Sequence, residues 1–315
     1  MLLQYGLNML GKLTSKNKLS ILIYHGVLES FDPLRPNEPT VESFSWQMAL
    51  ISQYFTPMGL PEATALLKAG RLPANAVCVT FDDGYKNNLH VALPILKKYA
   101  IPATVFVATA FSAGENMWND RILHLFADFN ITHINLNTMD MGEHQLGDWS
   151  QRKKLAGLLL NKLKYLPVEQ RLEKISELYN DNHGIESQPL MMTPAEVAQL
   201  AEAGIEIGAH TVNHPILKVM PVEQQNHEIQ QSKLLIEKWI GKTVRCFAYP
   251  NGKVGIDLDH QTTNIVEKLG FECAVVTDWG CSNPKTSPWM LRRFTPWDKS
   301  PLKFHLRLLK NQIFV

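Results

Sequence analysis

Residues 76–109 read AVCVTFDDGYKNNLHVALPILKKYAIPATVFVAT. Val77–Phe81 is an uncharged run rich in apolar side chains, the pattern of a strand buried on both faces. Asn87–Tyr99 follows with helical spacing, and Ala103–Thr109 is a second apolar run. Strand, helix and strand in so short a span predict a parallel pair, because parallel neighbours need a crossover connection. The rhythm continues outward. Further strands are expected at Leu19–Tyr24, Ile205–Ala209, Val244–Ala248, Cys273–Thr277 and Met290–Phe294. Helical patterns fall at Pro194–Ala203, Pro221–Trp239 and Leu258–Leu269, with Pro194 and Pro221 suited to a first turn. About seven such strands predict an α/β fold of barrel type.

One stretch breaks the alternation. Between Trp118 and Gly184 only Thr132–Leu136 reads as a strand, and weakly. Leu155, Leu159, Leu163 and Leu166 form a helical stripe, and Leu172, Ile175 and Tyr179 a second. This predicts a helical insertion over about residues 118–190, either a lid or an elaborated connection. The division is then an amphipathic segment over 1–18 and a barrel over 19–315.

Composition bounds the partners. The chain has 315 residues, 45% hydrophobic and 19% charged, with Lys+Arg 31 against Asp+Glu 30 and a net charge of +1. That balance disfavours nucleic acid, and the absence of a long apolar run argues against a spanning helix. Residues 1–13 carry no basic leader and no small-residue cleavage site, so the expected location is the cytoplasm, with a periplasmic or membrane-associated protein as the alternative. Leu2, Leu3, Leu7 and Leu10, and the stripe Leu302, Leu306, Leu309 and Ile313, would suit a lipid surface; packing on the parent domain is favoured. Cys78, Cys246, Cys273 and Cys281 read as thiols, although Cys273 and Cys281 could pair in an exported protein.

Polar residues gather where the expected strands end. Asp82 and Asp83 follow a buried strand, which is costly unless charge neutralises them. A metal is the simplest neutraliser, with one carboxylate bound and the other free to accept a proton. Helix capping by Asp83 or Asn87 is the plainer reading. Gly84 permits a sharp turn there. His210 and His214 follow the next run, four apart as on one face of a helical turn, and neutral imidazole suits zinc-like metals. One carboxylate and two imidazoles leave coordination positions open, as catalytic sites do. His25, Tyr249–Gly252, Asp278-Trp279 and Arg292-Arg293 occupy equivalent places. In parallel barrels, catalytic groups collect at the carboxyl ends of strands. Trp118, Trp279, Trp289 and Trp297 are candidates for stacking on sugar rings.

Thr80–Gly84 and His210–His214 resemble the first two signatures of the NodB-homology polysaccharide deacetylases, carbohydrate esterase family 4. The resemblance spans Leu19 to about Trp297, outside the insertion. It implies a distorted (β/α) barrel and metal-dependent hydrolysis of the N-acetyl group of an N-acetylhexosamine glycan, such as an exopolysaccharide. It further implies Asp83, His210 and His214 as ligands of a divalent metal, zinc first, and Asp82 as general base. Where the family has Arg shortly before Pro-Tyr-Gly, this chain has Ala248-Tyr249-Pro250-Asn251-Gly252. The Asn251 N–H then serves the oxyanion, and Arg293, or failing it Arg292, supplies the missing charge beside Asp82. Ile23-Tyr24-His25-Gly26-Val27 resembles the circularly permuted poly-N-acetylglucosamine deacetylases and makes His25 the general acid. A deformylase or other small-amide hydrolase on the same fold, and a silent carbohydrate-binding protein, are the alternatives.

Overall fold

The computed structural model describes residues 11–313. The segment carrying Leu2, Leu3, Leu7 and Leu10 lies outside them, apart from its last residues. Six parallel strands curl in the order β1 (Ser20–Tyr24), β3 (Ala76–Phe81), β4 (Ala103–Val107), β7 (Glu206–Ala209), β8 (Cys246–Ala248) and β9 (Cys273–Val275). A seventh, β2 (Thr56–Pro57), pairs with the start of β3. Met290–Phe294 is not a ladder strand. It bridges β9 through Val275 and Leu291, and β1 through Leu22 and Phe294. Each neighbour is touched once, because this segment spans the seam of the half-barrel rather than lying along one edge.

The strands are buried on both sides, and period two sorts their residues into layers. On β3, Val77, Val79 and Phe81 join the outer core against the helices, with Phe44, Leu89 and Leu96. Ala76 and Cys78 join Ile21, Phe106, Cys246, Ala248, Cys273, Val275 and Leu291 in the barrel interior. Small residues dominate that layer because one ring fills much of it. A Cβ on Gly208 would come within 2.4 Å of Phe106 Cδ1. All four cysteines are free and buried. The sulfur neighbours are Cys246 and Cys273, 3.4 Å apart across β8 and β9, instead of Cys273 and Cys281.

Residues 118–181 build a second core. Helices Trp118–Ala127, Trp149–Leu163 and Val168–Asp181 surround Ile122, Phe126, Leu159, Leu163, Ile175 and Leu178. An antiparallel pair, β5 (His133–Asn135) with β6 (Glu143–Gln145), closes one side. Arg152 is fully buried here and donates to the carbonyls of Gly147, Phe126, Asp128 and Ile131 at 2.9–3.0 Å. Four of its N–H groups thus satisfy carbonyls of a helix end and the loops beside it. The inward face of the third helix is Arg171, Ile175, Leu178 and Tyr179, with Leu172 only half-buried.

The final helix, Pro301–Ile313, buries Phe304, His305, Leu308 and Leu309 and leaves Leu302 and Leu306 exposed. The inward face is therefore rotated from the expected stripe, with Phe304 packed edge-on against Trp46. Among the described residues, no helix is long and apolar enough to cross a membrane.

Candidate active site

The interior layers aim the site. Residues at the parity of Ala76 and Cys78 continue to Thr80 and Asp82. Those at the parity of Ile21 continue to His25, of Gly208 to His210, and of Leu291 to Arg293. Register keeps neighbours level: Tyr24 pairs with Phe81, and Asp82 N–H donates to the Tyr24 carbonyl at 2.9 Å. His25 and Asp82 therefore leave adjacent strands at the same height. Asp82, Asp83, His25, His210, His214, Asn251 and Thr277 line one cavity of about 920 Å³, with Thr80 and Arg293 buried behind it.

Neither aspartate caps a helix. Asp83 turns at φ +75° and aims its carboxylate between two imidazoles, with Oδ1 at 3.5 Å from His210 Nε2 and 3.6 Å from His214 Nε2. The three donor atoms lie within 4.8 Å of one another. The His210–His214 spacing does not arise from a helical turn. The segment is irregular, with Thr211 at φ +65° and His214 at +51°. Among the described residues, four of the nine non-glycine residues in the left-handed region, Asp83, Thr211, His214 and Asn251, surround this point. Such conformations cost about 1–3 kcal/mol each and persist where surrounding structure enforces them. The enforcement is visible. Glu228 accepts from the Val212 and Asn213 N–H groups at 2.8 and 2.9 Å and from Asn213 Nδ2 at 2.7 Å. Arg171, from the inserted helices, donates to the Asn213 carbonyl at 3.1 Å and lies over the Trp118 ring.

A dication fits this triad. Tetrahedral bonds of ~2.0–2.2 Å space ligand atoms ~3.4 Å apart, close to the two Asp83–histidine distances. Asp83 Oδ1 is buried with no hydrogen-bond partner, an orphan that a cation would satisfy. Hydrogen bonding of His210 Nδ1 to the Ala248 carbonyl at 2.7 Å leaves its Nε2 lone pair facing Asp83. Burial lowers the His214 pKa to about 3, which keeps that imidazole neutral. Burial alone would raise the Asp83 pKa, but the facing histidines His210 and His214, with His25 nearby, hold it well below its usual range.

Asp82 stands beside the triad. Arg293, fully buried, grips it through Nη1–Oδ1 at 2.7 Å and Nη2–Oδ2 at 2.8 Å. The same guanidinium touches Thr80 Oγ1 and donates from Nε to the Val276 carbonyl. Burial pushes the Asp82 pKa up, but the Arg293 charge and hydrogen bonds, together with His210 and His25, outweigh it and hold the carboxyl below its usual range. Arg292 is exposed and takes no part. Asn251 sits at φ +57°, its carbonyl accepting from Thr277 Oγ1 at 2.5 Å. Among the described residues its N–H has no acceptor.

His25 is held differently. Its side chain is 45% exposed, and Nδ1 lies 3.2 Å from Glu38 Oε1. Burial would lower its pKa, but the Glu38 hydrogen bond and charge, aided by Asp83 and Asp82, raise it to about 10. Glu38 also accepts from the Gly26 N–H. It belongs to a loop whose ends meet where Leu28 bridges Thr40. Arg35 in that loop donates to Asp32 at 2.7 Å and to buried Asp120 at 2.6 Å, and Tyr85 donates to Asp120 at 2.7 Å. Sequence reasoning missed Glu38, Arg35, Asp120, Arg171 and Glu228, none of which ends an apolar run. Of the four tryptophans, Trp118 is buried and Trp289 donates Nε1 to Phe271, leaving Trp279 and Trp297 exposed with ring centres 5.9 Å apart. Asp278 ties Val254 N–H at 2.8 Å and stays outside the cavity.

Comparison with known proteins bears on the family and the fold. The polysaccharide deacetylase family model matches residues 69–274. The chain is 22% identical over 277 residues to YxkH of Bacillus subtilis (strain 168), assigned to the polysaccharide deacetylases, spanning 88% of this chain and 70% of that one. Over 52 residues it is 44% identical to a poly-beta-1,6-N-acetyl-D-glucosamine N-deacetylase of Staphylococcus aureus, 16% of this chain and 18% of that one. IcaB from Ammonifex degensii shares the fold, with a TM-score of 0.60 at 19% identity over 94% of this chain and 97% of that one.

Proposed function

The chain belongs to the polysaccharide deacetylase family, and from that premise we propose that it hydrolyses the N-acetyl group of an N-acetylhexosamine glycan, with Asp83, His210 and His214 holding a divalent ion, zinc first. One observation carries the reading: a metal-competent triad, an Arg-paired carboxylate and a carboxylate-paired histidine open onto one cavity. The short match to a poly-N-acetylglucosamine deacetylase makes oligomers of that sugar the first substrates to try.

A dication in the triad supplies Lewis acidity to the acetyl carbonyl and to the attacking water. Asp82, kept ionised by Arg293, takes the proton that the water loses as its oxygen bonds to the carbonyl carbon. Bidentate Arg293 also fixes which carboxylate edge faces the cavity. The Asn251 N–H donates to the developing oxyanion, and one such donor is worth about 2.7–4 kcal/mol. His25, protonated through Glu38, then gives a proton to the sugar nitrogen as the C–N bond breaks. Acetate and the amine leave. An amine departs poorly as an anion, so the imidazolium matters most at this step.

The test is acetate release from N-acetylglucosamine oligomers, before and after chelation and on restoring single metals. Release that chelation abolishes and one dication restores is expected. No release under any metal condition would overturn the reading.

A further inference from the structure

The cavity is far larger than an acetamido group needs, and its outer arm has its own chemistry. There the helix Trp149–Leu163 and the following Lys164 present Lys153, Leu160, Asn161 and Lys164, while Lys86 comes from the start of the helical segment that follows Tyr85. Gly157, one turn from both Lys153 and Asn161, has nothing within 4 Å of where a Cβ would stand, so the helix face is bare there.

The charges on this lining are unevenly matched. Three of the four carboxylates are engaged, Glu38 by His25, Asp82 by Arg293, and Asp120 by Arg35 and Tyr85, and the fourth, Asp83, is the carboxylate of the metal-competent triad. Arg35 is also held by Asp32. The three lysines differ. Among the described residues none has a carboxylate within 4.0 Å. Lys164 lies over the Tyr165 ring, and Lys86 contributes only a weak field at Glu196. In a chain of net charge +1 the arm is a local excess of cation. Such a concave basic strip concentrates anions.

We propose that this arm is a subsite for anionic groups, carboxylate or phosphate, carried on the glycan near the sugar that is deacetylated. The proposal rests on the deacetylase reading and adds the substrate's charge. Each turnover on a neutral poly-N-acetylhexosamine leaves an ammonium on the chain, and three lysines repel such a product. A glycan with regularly placed anions stays attracted as its amides are removed.

Three probes of equal length separate the cases: neutral N-acetylglucosamine oligomers, oligomers alternating N-acetylglucosamine with a uronic acid, and N-acetylglucosamine oligomers with a terminal phosphate. The expected result is a lower KM for at least one anionic probe, which identifies the anion, and a preference that shrinks toward about 0.5 M salt. Lys153→Gln and Lys164→Gln should each reduce the anionic-to-neutral ratio of kcat/KM, by about fivefold for a contact at ion-pair distance in water. Equal KM for all three probes at low salt, or an unchanged ratio in both variants, overturns the proposal. If no probe releases acetate, the deacetylase reading fails instead. Fluorescence anisotropy with labelled anionic and neutral oligomers then decides the subsite by the same ratio and the same two variants.

Discussion

The metal corner and the acid corner of the cavity are built on opposite plans. Asp83, His210 and His214 are placed by left-handed backbone at Asp83 and His214, a carbonyl on His210 and three hydrogen bonds that Glu228 accepts from Val212 and Asn213, and all three are mostly buried. His25 is half-exposed and depends on a single carboxylate from a loop that Arg35 and Asp120 tether. On the proposed reading, the atoms of the first corner share one ion, and coordination tolerates little displacement. A group that must lose and regain a proton can tolerate more freedom, provided its partner holds its charge. Rigidity is spent where geometry decides, and electrostatics does the rest.

Substitutions test this contrast from its strongest side first. Asp82→Asn is expected to lower turnover by about 10²–10⁴-fold while elemental analysis finds metal still bound. Loss of metal instead would mean that Asp82, and not Asp83, is the ligand. His214→Ala should lose both ion and activity, and an unchanged metal content would remove it from the triad. Arg293→Met leaves the Asp82 carboxylate buried without its cation. That should cost about 3–5 kcal/mol, read as a drop in thermal midpoint that is largest at neutral pH. A midpoint equal to the parent's would show that the pair is not needed to hold the seam.

The acid corner should respond more gently. The His25 pKa is raised from 6.5 to about 10, so its charged form is complete below 6.5 and is lost only as pH rises through about 10. Removing the Glu38 charge by Glu38→Gln should bring the alkaline limb of kcat/KM down toward the ordinary histidine range, with a modest effect near pH 6. A limb that stays in place would disconnect His25 from that titration. The contrast between the corners would then be one of exposure alone.

What the sequence disclosed follows the same division. Asp82, Asp83, His210 and His214 are local features, each a few residues past a buried apolar run, so strand register carries them to the mouth of the barrel. Arg292 and Arg293 are the charged pair of the last run, and the resemblance rather than the run itself favours Arg293; that run is a pair of bridges over the seam. Glu38 carried no such mark. It lies thirteen residues beyond His25 and is returned only by a loop closure between Leu28 and Thr40. Arg171 and Asp120 carry no mark in the sequence either, yet both are buried and reach the site across tertiary contacts. Periodicity reports the face of an element. It does not report which distant carbonyl or carboxylate that face meets.

The second hydrophobic core has an evolutionary consequence. Since residues 118–181 pack largely on themselves and touch the chemistry through Asp120 and Arg171, they form a transplantable module. A graft from a homologue that preserves those two anchors should exchange the polymer such an enzyme accepts while leaving its hydrolytic step intact. Diversification of diet would then need no reinvention of the reaction.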